Sequence, residues 1–140
     1  MNHRFGIPAT YLAASRLTTA RAWGAMAAFE WLPQTLAIAA LGRAPKRVAP
    51  LPLAASWTAF ISLYELGYIT NDTISVRYEK NPRRRIPDFD PSTAELAAWT
   101  AMRLATFGAL TGALGQGRRP AWWGTYAGTA LAFLGHNTLR

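Results

Sequence analysis

The sequence predicts an all-α fold, a polytopic membrane bundle of about four transmembrane helices that forms one domain over residues 1–140. Three observations favour it. Hydrophobic residues make up 51% of the chain and charged residues only 16%. Four weakly charged segments have the length of roughly 20 residues that crosses a bilayer core. The six Trp residues are distributed over several of these segments, as expected for side chains that prefer membrane interfaces.

The first two predicted spans differ in quality. The span at residues 22–42 contains Glu30, Pro33 and Gln34, so we expect a kinked, re-entrant or partly interfacial helix there. The span at residues 50–70 is the most apolar of the four. Its one charge, Glu65, lies near its end.

The third span, residues 92–115, begins with a capping box of Ser92 and Glu95 and carries Arg103 near its middle. An unpaired Arg at that depth costs at least about 2.5 kcal/mol, so we expect an intramembrane ion pair between Arg103 and Glu65, with a catalytic role for the two as the alternative. The fourth span, residues 120–139, has no formally charged residue and opens on two Trp residues. Two GxxxG pairs, Gly108 with Gly112 and Gly124 with Gly128, would allow close helix packing.

The distribution of Lys and Arg predicts a cytoplasmic N-terminus and a cytoplasmic polar connector at residues 71–91. That orientation places Arg4, Arg16, Arg21, Arg77, Lys80, Arg83, Arg84, Arg85 and Arg140 inside, against Arg43, Lys46, Arg47, Arg118 and Arg119 outside. The N-terminal residues lack an uninterrupted apolar region of the kind that a cleavable signal peptide needs. With no Cys, thiolate metal sites, disulfides and cysteine nucleophiles are excluded. We therefore expect an integral protein of a bacterial inner membrane.

The polar connector carries the residues that could do chemistry. Glu65, Asp72 and Glu79 are spaced by sevens, so a helix that continued past residue 72 would align the three carboxylates on one stripe, with Asn71 beside them. Carboxylate and amide oxygens are ligands that Mg²⁺ prefers, which makes Asn71, Asp72 and Glu79 a candidate metal set. Next along the chain come four basic residues that would suit a phosphate group: Lys80, Arg83, Arg84 and Arg85.

This segment resembles the first acidic motif of the UbiA-type intramembrane prenyltransferases. In that family a motif similar to NDxxDxxxD follows the second helix and faces the cytoplasm, and the branch that makes polyprenyl-phosphate ribose continues with a Pro and a basic run, as residues 81–85 do here. The likeness is greatest to UbiA-like membrane proteins with a YExGYxxND motif, here residues 64–72. An Arg and a Trp near the start of the first span, Arg21 and Trp23, are also similar to the family.

The resemblance implies an N-terminal half of such a protein. Ser75 stands where the family has its middle acid, and the chain has about four predicted spans where the family has eight or nine with a second acidic motif. It implies a Mg²⁺-dependent prenyltransferase-like or polyprenyl-phosphate glycosyl-type transferase acting on polyprenyl or phosphoribosyl diphosphates, incomplete or half-sized. A homo-oligomer or a second membrane half would then complete the cavity, and we expect the chain alone to be inert.

Other interpretations stay open on the sequence alone. The basic run can be an anchor at anionic lipid headgroups, and it lacks the aromatic platform that nucleic-acid binding would favour, so we expect membrane lipids and no nucleic acid as partners. Asn71 and Asp72 are also ordinary helix-ending residues. The chain can equally be a non-catalytic membrane subunit or scaffold with a degenerate motif, or a soluble helical protein. The sequence identifies no catalytic residue.

Overall fold

The computed structural model describes residues 3–33, 36, 50–78 and 85–138, and every structural statement below concerns these residues. All regular secondary structure in them is helical, which confirms the all-α class. Three long helices form the body of the fold, and a short N-terminal segment packs against them.

The N-terminal segment consists of a 3₁₀ turn at His3–Gly6, helix α1 (Thr10–Ser15) and helix α2 (Ala20–Met26). The Thr19 side chain caps α2 by accepting a hydrogen bond from the Ala22 amide. The helix then widens into a π-helical turn at Ala27–Trp31. Pro33 lacks a backbone N–H and its ring crowds the preceding turn, and the wider turn accommodates it. This turn lies within the predicted first span, and the kinked, re-entrant or interfacial character of that span stays a prediction, because most of residues 34–49 lie outside the described residues.

Helix α3 (Pro50–Thr73) is the central element. It supplies one buried residue to each of three apolar clusters: Ile69 packs with Phe5, Tyr11, Phe89 and Trp99; Ile61 with Leu12, Leu17 and Met26; and Ala59 with Phe107 and Tyr126. Because every cluster includes α3, this helix fixes the position of all the others.

The α-helix ends at Thr73, so the predicted stripe of three carboxylates does not continue to Glu79 along one helix. A 3₁₀ turn follows at Ser75–Tyr78. The β-branched Ile74 and Val76 disfavour further α-helix, and the Thr73 hydroxyl already donates to the Ile69 carbonyl. Glu79 itself lies outside the described residues.

Helices α4 (Thr93–Ala113) and α5 (Pro120–Thr138) complete the bundle. The capping box predicted from the sequence is confirmed: the Glu95 amide donates to the Ser92 hydroxyl, and the Glu95 carboxylate accepts from the Ser92 amide. After α4 the chain turns at Gly115, whose φ of 63° suits a residue without a Cβ.

The predicted second, third and fourth spans correspond to helices α3, α4 and α5. None of the helices in the described part of the chain is both long enough and apolar enough to cross a membrane.

Close helix packing occurs at a glycine that belongs to neither GxxxG pair. A Cβ on Gly67 of α3 would lie 2.8 Å from ring atoms of Phe133 in α5. The four GxxxG glycines at 108, 112, 124 and 128 have no described neighbour within 4 Å of such a Cβ. Within the described chain, therefore, Gly67 brings α3 and α5 together, and both GxxxG pairs face outward.

Candidate functional site at the polar end of α3

Glu65 of α3 and Arg103 of α4 form an ion pair in the interior. Arg103 Nη1 lies 2.5 Å from Glu65 Oε2, and both side chains are 0% exposed. A buried charge without a partner is strongly unfavourable, so each residue makes the burial of the other tolerable.

The same pair holds the N-terminal segment in place. Glu65 accepts hydrogen bonds from the amides of Ala9 and Leu12 at the start of α1, at 2.7 and 2.5 Å. Arg103 donates from Nε and Nη2 to the Phe5 carbonyl at 2.9 and 2.7 Å. Phe5 is the residue before the end of the 3₁₀ turn. An anion thus meets free amides at a helix start and a cation meets carbonyls near a helix end, the favourable arrangement for both.

Ala9 shows how firmly this contact is held. Its φ of 70° is in the left-handed region, which costs a residue with a Cβ roughly 1–2 kcal/mol. The conformation directs the Ala9 amide at the Glu65 carboxylate. The hydrogen bonds of the ion pair offset the strain.

Asp72 lies two turns further along α3 and is only 3% exposed. The Tyr11 hydroxyl donates to its Oδ2, while Arg85 Nη1 and the Asn71 amide donate to its Oδ1, the latter at 3.1 Å. Three separate parts of the chain therefore meet at this carboxylate: the N-terminal segment, the end of α3 and the far end of the polar connector.

Tyr11 serves Asp72 as a neutral donor. Burial, followed by its hydrogen bond to Asp72 and the negative charge of that carboxylate, raises the pKa of Tyr11 well above its ordinary value. The phenol therefore keeps its proton over the physiological pH range.

Two guanidinium groups lie over the ring of Tyr68, one turn before Asp72. The Arg16 guanidinium carbon is 4.3 Å from the ring centroid, and that of Arg85 is 5.4 Å away. Arg85 is paired with Asp72, whereas no described carboxylate lies within ion-pair distance of Arg16. The positive charge of Arg16 is thus left without a described counter-ion beside the aromatic ring.

A cavity of about 340 Å³ opens between α2 and α3 next to this ring. Its walls are mainly apolar and come from α1, α2 and α3, and four of its lining residues are polar or charged: Arg16, Glu30, Tyr64 and Tyr68. The Tyr64 and Tyr68 hydroxyls hydrogen-bond to each other at 2.8 Å. A cavity of this size and lining can hold a small amphiphilic group.

The structure brings together only part of the predicted site. Asn71 and Arg85 each contact Asp72, and Glu65 pairs with Arg103. Four predicted residues lie outside the described part of the chain: Glu79, Lys80, Arg83 and Arg84. The predicted clustering of Glu79 with Asn71 and Asp72 thus stays a prediction.

The described residues alone do not fit a metal ion. Among them no group of three or more His, Asp or Glu side chains lies close enough to hold one. Asp72, the one described carboxylate of the predicted Mg²⁺ set, already accepts from an Arg, an Asn and a Tyr. Mg²⁺ would have to displace Arg85 from Asp72 and take further ligands from outside the described residues.

Sequence reasoning missed the N-terminal residues of the site. Tyr11 and Arg16 lie more than 50 positions from the α3 residues that they contact, and neither belongs to a motif. One signal was available: a buried carboxylate requires donors, and a Tyr and an Arg in a short segment rich in hydroxyls are suitable ones.

Comparison of the chain with protein-family models, with curated proteins and with solved structures finds no match. The resemblance to the UbiA-type proteins therefore rests on its motif residues alone.

Proposed function

We propose that the chain is an integral membrane protein, a UbiA-like half-protein that binds a polyprenyl or phosphoribosyl diphosphate at the Asp72 end of α3. One observation carries this proposal. The polar connector returns to α3, so that Arg85, the last residue of the basic run, contacts both Asp72 and Tyr68. A positive cluster at the end of an apolar helix is a suitable environment for a diphosphate group attached to a lipid.

The placement of polar side chains supports a membrane environment. The interior contains Glu65, Asp72 and Arg103, whereas the exposed positions of α4 from residue 97 to 113 and of α5 from residue 121 to 134 carry no charge. Large apolar side chains are exposed there, including Leu131 at 67%. A lipid environment favours this arrangement, in which charged residues are buried and apolar residues are exposed.

The proposal is for binding without turnover by this chain alone. Assisting the departure of a diphosphate requires preorganised positive charge directed at the leaving group. Arg85 shares its charge with Asp72, and the buried carboxylates Glu65 and Asp72 are saturated by protein donors. In the family, Mg²⁺ supplies the charge that neutralises the diphosphate, and here Asp72 with Asn71 would be its described ligands once Arg85 moved away.

The saturation of Glu65 and Asp72 by protein donors also favours a second function, that of a non-catalytic membrane subunit or scaffold. Glu65 and Asp72 both have structural roles in this fold, because they tie the N-terminal segment to the bundle. The uncharged outward faces of α4 and α5 would then pack against a partner, either a second copy or another membrane half.

Ligand binding separates the two functions. We would purify the chain in detergent and titrate it with undecaprenyl diphosphate and with phosphoribosyl diphosphate, with and without Mg²⁺. Arg85→Gln should weaken binding at least tenfold, and Arg85→Lys should restore part of it, because a bidentate contact is replaced by a point charge. Arg118→Gln, which removes the same charge from the turn before α5, is the control. If the wild-type chain binds neither diphosphate measurably, the binding proposal is wrong and the scaffold function remains.

Turnover is measured on the same samples as Mg²⁺-dependent release of diphosphate. We expect none from a chain shown to be monomeric in the detergent. Clear turnover by the monomer that Asp72→Ala abolishes would contradict the inert half-site and establish a complete transferase.

A further inference from the structure

The cavity between α2 and α3 presents two opposite charges that do not pair with each other. Arg16 and Glu30 both line it, and no ion pair within 4.0 Å joins either of them to another described residue. Two free opposite charges around one cavity attract a ligand that carries both signs, since such a ligand satisfies both without leaving a net charge in an apolar site.

Arg16 defines the end that would take an anion. Its guanidinium carbon lies 4.3 Å from the centroid of the Tyr68 ring, and this contact leaves N–H donors for oxygen atoms. A phosphodiester matches this geometry because guanidinium binds phosphate oxygens in pairs.

Glu30 and the tyrosines define the end that would take a cation. Glu30 belongs to the π-helical turn at Ala27–Trp31, the irregular segment of the α2 helix, and its carboxylate lines the cavity together with Tyr64. An ammonium group there would meet the side chains of Glu30 and of the two tyrosines, a carboxylate with aromatic neighbours.

The remaining walls suit hydrocarbon. Leu12, Leu17 and Met26 form them from the inside, and Phe29, which is 82% exposed, extends them outward. A ligand with apolar chains attached to its headgroup would cover these surfaces.

We infer that this cavity binds a zwitterionic phosphate amphiphile, with its phosphodiester on Arg16 and its ammonium group on Glu30. This site adjoins the proposed diphosphate site at Tyr68, which Arg85 also contacts, but its headgroup contacts use neither Asp72 nor the basic run of the connector. Its ligand class also differs, since a diphosphate has no group for Glu30 to bind.

The test is lipid binding by the delipidated full-length chain, measured by native mass spectrometry with dioleoyl phosphatidylethanolamine and dioleoyl phosphatidylglycerol. The two lipids share acyl chains and phosphodiester and differ in the ammonium group. We expect at least a fivefold preference for the ethanolamine lipid. Glu30→Gln should remove the preference. Arg16→Gln should weaken the binding of both lipids at least fivefold, and Arg16→Lys should restore part of it.

Matched controls remove the same charges elsewhere. Asp88→Asn neutralises an exposed carboxylate in the connector before α4, and Arg118→Gln an exposed cation before α5. Neither should change the ratio of the two affinities. Arg16 and Glu30 are exposed, so their variants should keep the circular dichroism spectrum of the wild type, and this is checked for each.

Three results would overturn the inference. The first is equal or tighter binding of phosphatidylglycerol by the wild type, and the second is a ratio that Glu30→Gln leaves unchanged. The third concerns the source of the headgroup: if soluble glycerophosphoethanolamine displaces the lipid at equal concentration, the apolar walls contribute nothing and the ligand is not an amphiphile. All three can occur whether or not Arg85 binds a diphosphate.

Discussion

Individual charged residues organise this fold from the inside. Glu65 and Arg103 satisfy each other and four backbone groups of the N-terminal segment, at Phe5, Ile7, Ala9 and Leu12. Asp72 repeats the principle with Tyr11 and Arg85. The N-terminal segment, which also contributes Phe5, Tyr11 and Leu12 to the apolar clusters, is thereby held by hydrogen bonds to charged groups, which are about twice as strong as neutral ones.

A double-mutant cycle measures the coupling of the buried pair. Arg103→Met or Glu65→Leu alone should lower the free energy of unfolding in detergent by about 3–5 kcal/mol, because each leaves the other charge buried without its partner. The double variant should lose clearly less than the sum. Arg118→Met, at an exposed site, should change the free energy of unfolding by less than about 0.5 kcal/mol. Additive losses would show that Glu65 and Arg103 do not depend on each other.

Tyr11 should make the stability sensitive to alkali. Its pKa in the folded state lies above the ordinary value of 10.0, so its contribution is complete below pH 10.0 and declines as the pH rises beyond it, when the unfolded chain releases a proton that the folded chain retains. The decline approaches about 1.4 kcal/mol per pH unit.

Tyr11→Phe isolates this effect, because the other tyrosines titrate equally in both proteins. The variant should lose about 1–3 kcal/mol at neutral pH, since Asp72 Oδ2 loses its donor, and should show a shallower decline above pH 10.0. Denaturant unfolding from about pH 7 to 11 measures both. Parallel pH profiles would exclude a role for Tyr11 in the alkaline decline.

The sequence predicts the residues that pair inside the bundle better than those that complete the site. Arg103 and Glu65 could be paired from the sequence, because a charge within an apolar helix requires a partner of opposite charge and the apolar segments contain few charged residues. The path of the N-terminal segment decides the other contacts, which are those of Tyr11, of Arg16 and of the backbone amides of residues 9 and 12. No local pattern specifies that path.

At the scale of helices, the approach of α5 to α3 depends on Gly67. Phe133 lies against this glycine and packs its ring on Tyr64 and Tyr68, with centroids 5.3 and 5.7 Å apart. The ring is therefore held on several sides, so that a Cβ at position 67 would displace α5 from α3.

We expect Gly67→Ala to destabilise the protein by about 1–3 kcal/mol, and Gly67→Ala with Phe133→Leu to recover much of the loss. Gly128→Ala is the matched control, because its Cβ meets no described atom and Ala favours a helix by about 1 kcal/mol over Gly. Thermal unfolding measures the stability of all three variants. A loss at Gly128 as large as that at Gly67 would show that the outward GxxxG face is packed.

Apolar windows predict the long helices to within a few residues, but they do not predict helix ends. The carboxylate stripe was extended to Glu79 on spacing alone, whereas the α-helix stops at Thr73 because β-branched residues follow. Likewise, GxxxG spacing indicates where backbones can approach, and the neighbours decide whether they do. Here the contact falls on a single glycine opposite an aromatic ring.

For the whole molecule, polarity is arranged with charges inside and uncharged surface outside on α4 and α5. These helices are rich in Ala, Gly and Thr, which carry little hydropathy per residue, so that the outward surface is uncharged without being strongly apolar. The proposed membrane location thus rests on where the charges lie in three dimensions.

Accessibility of single cysteines in isolated membranes tests that location most directly, and the natural absence of Cys provides a clean background. Ala105 is on the exposed face of α4, and Arg118 is in the turn before α5. We predict that a hydrophilic maleimide labels Arg118→Cys in membranes but labels Ala105→Cys only after denaturation in detergent. Rapid labelling of Ala105→Cys in the native preparation, together with release of the protein by alkaline carbonate, would contradict the membrane-embedded bundle.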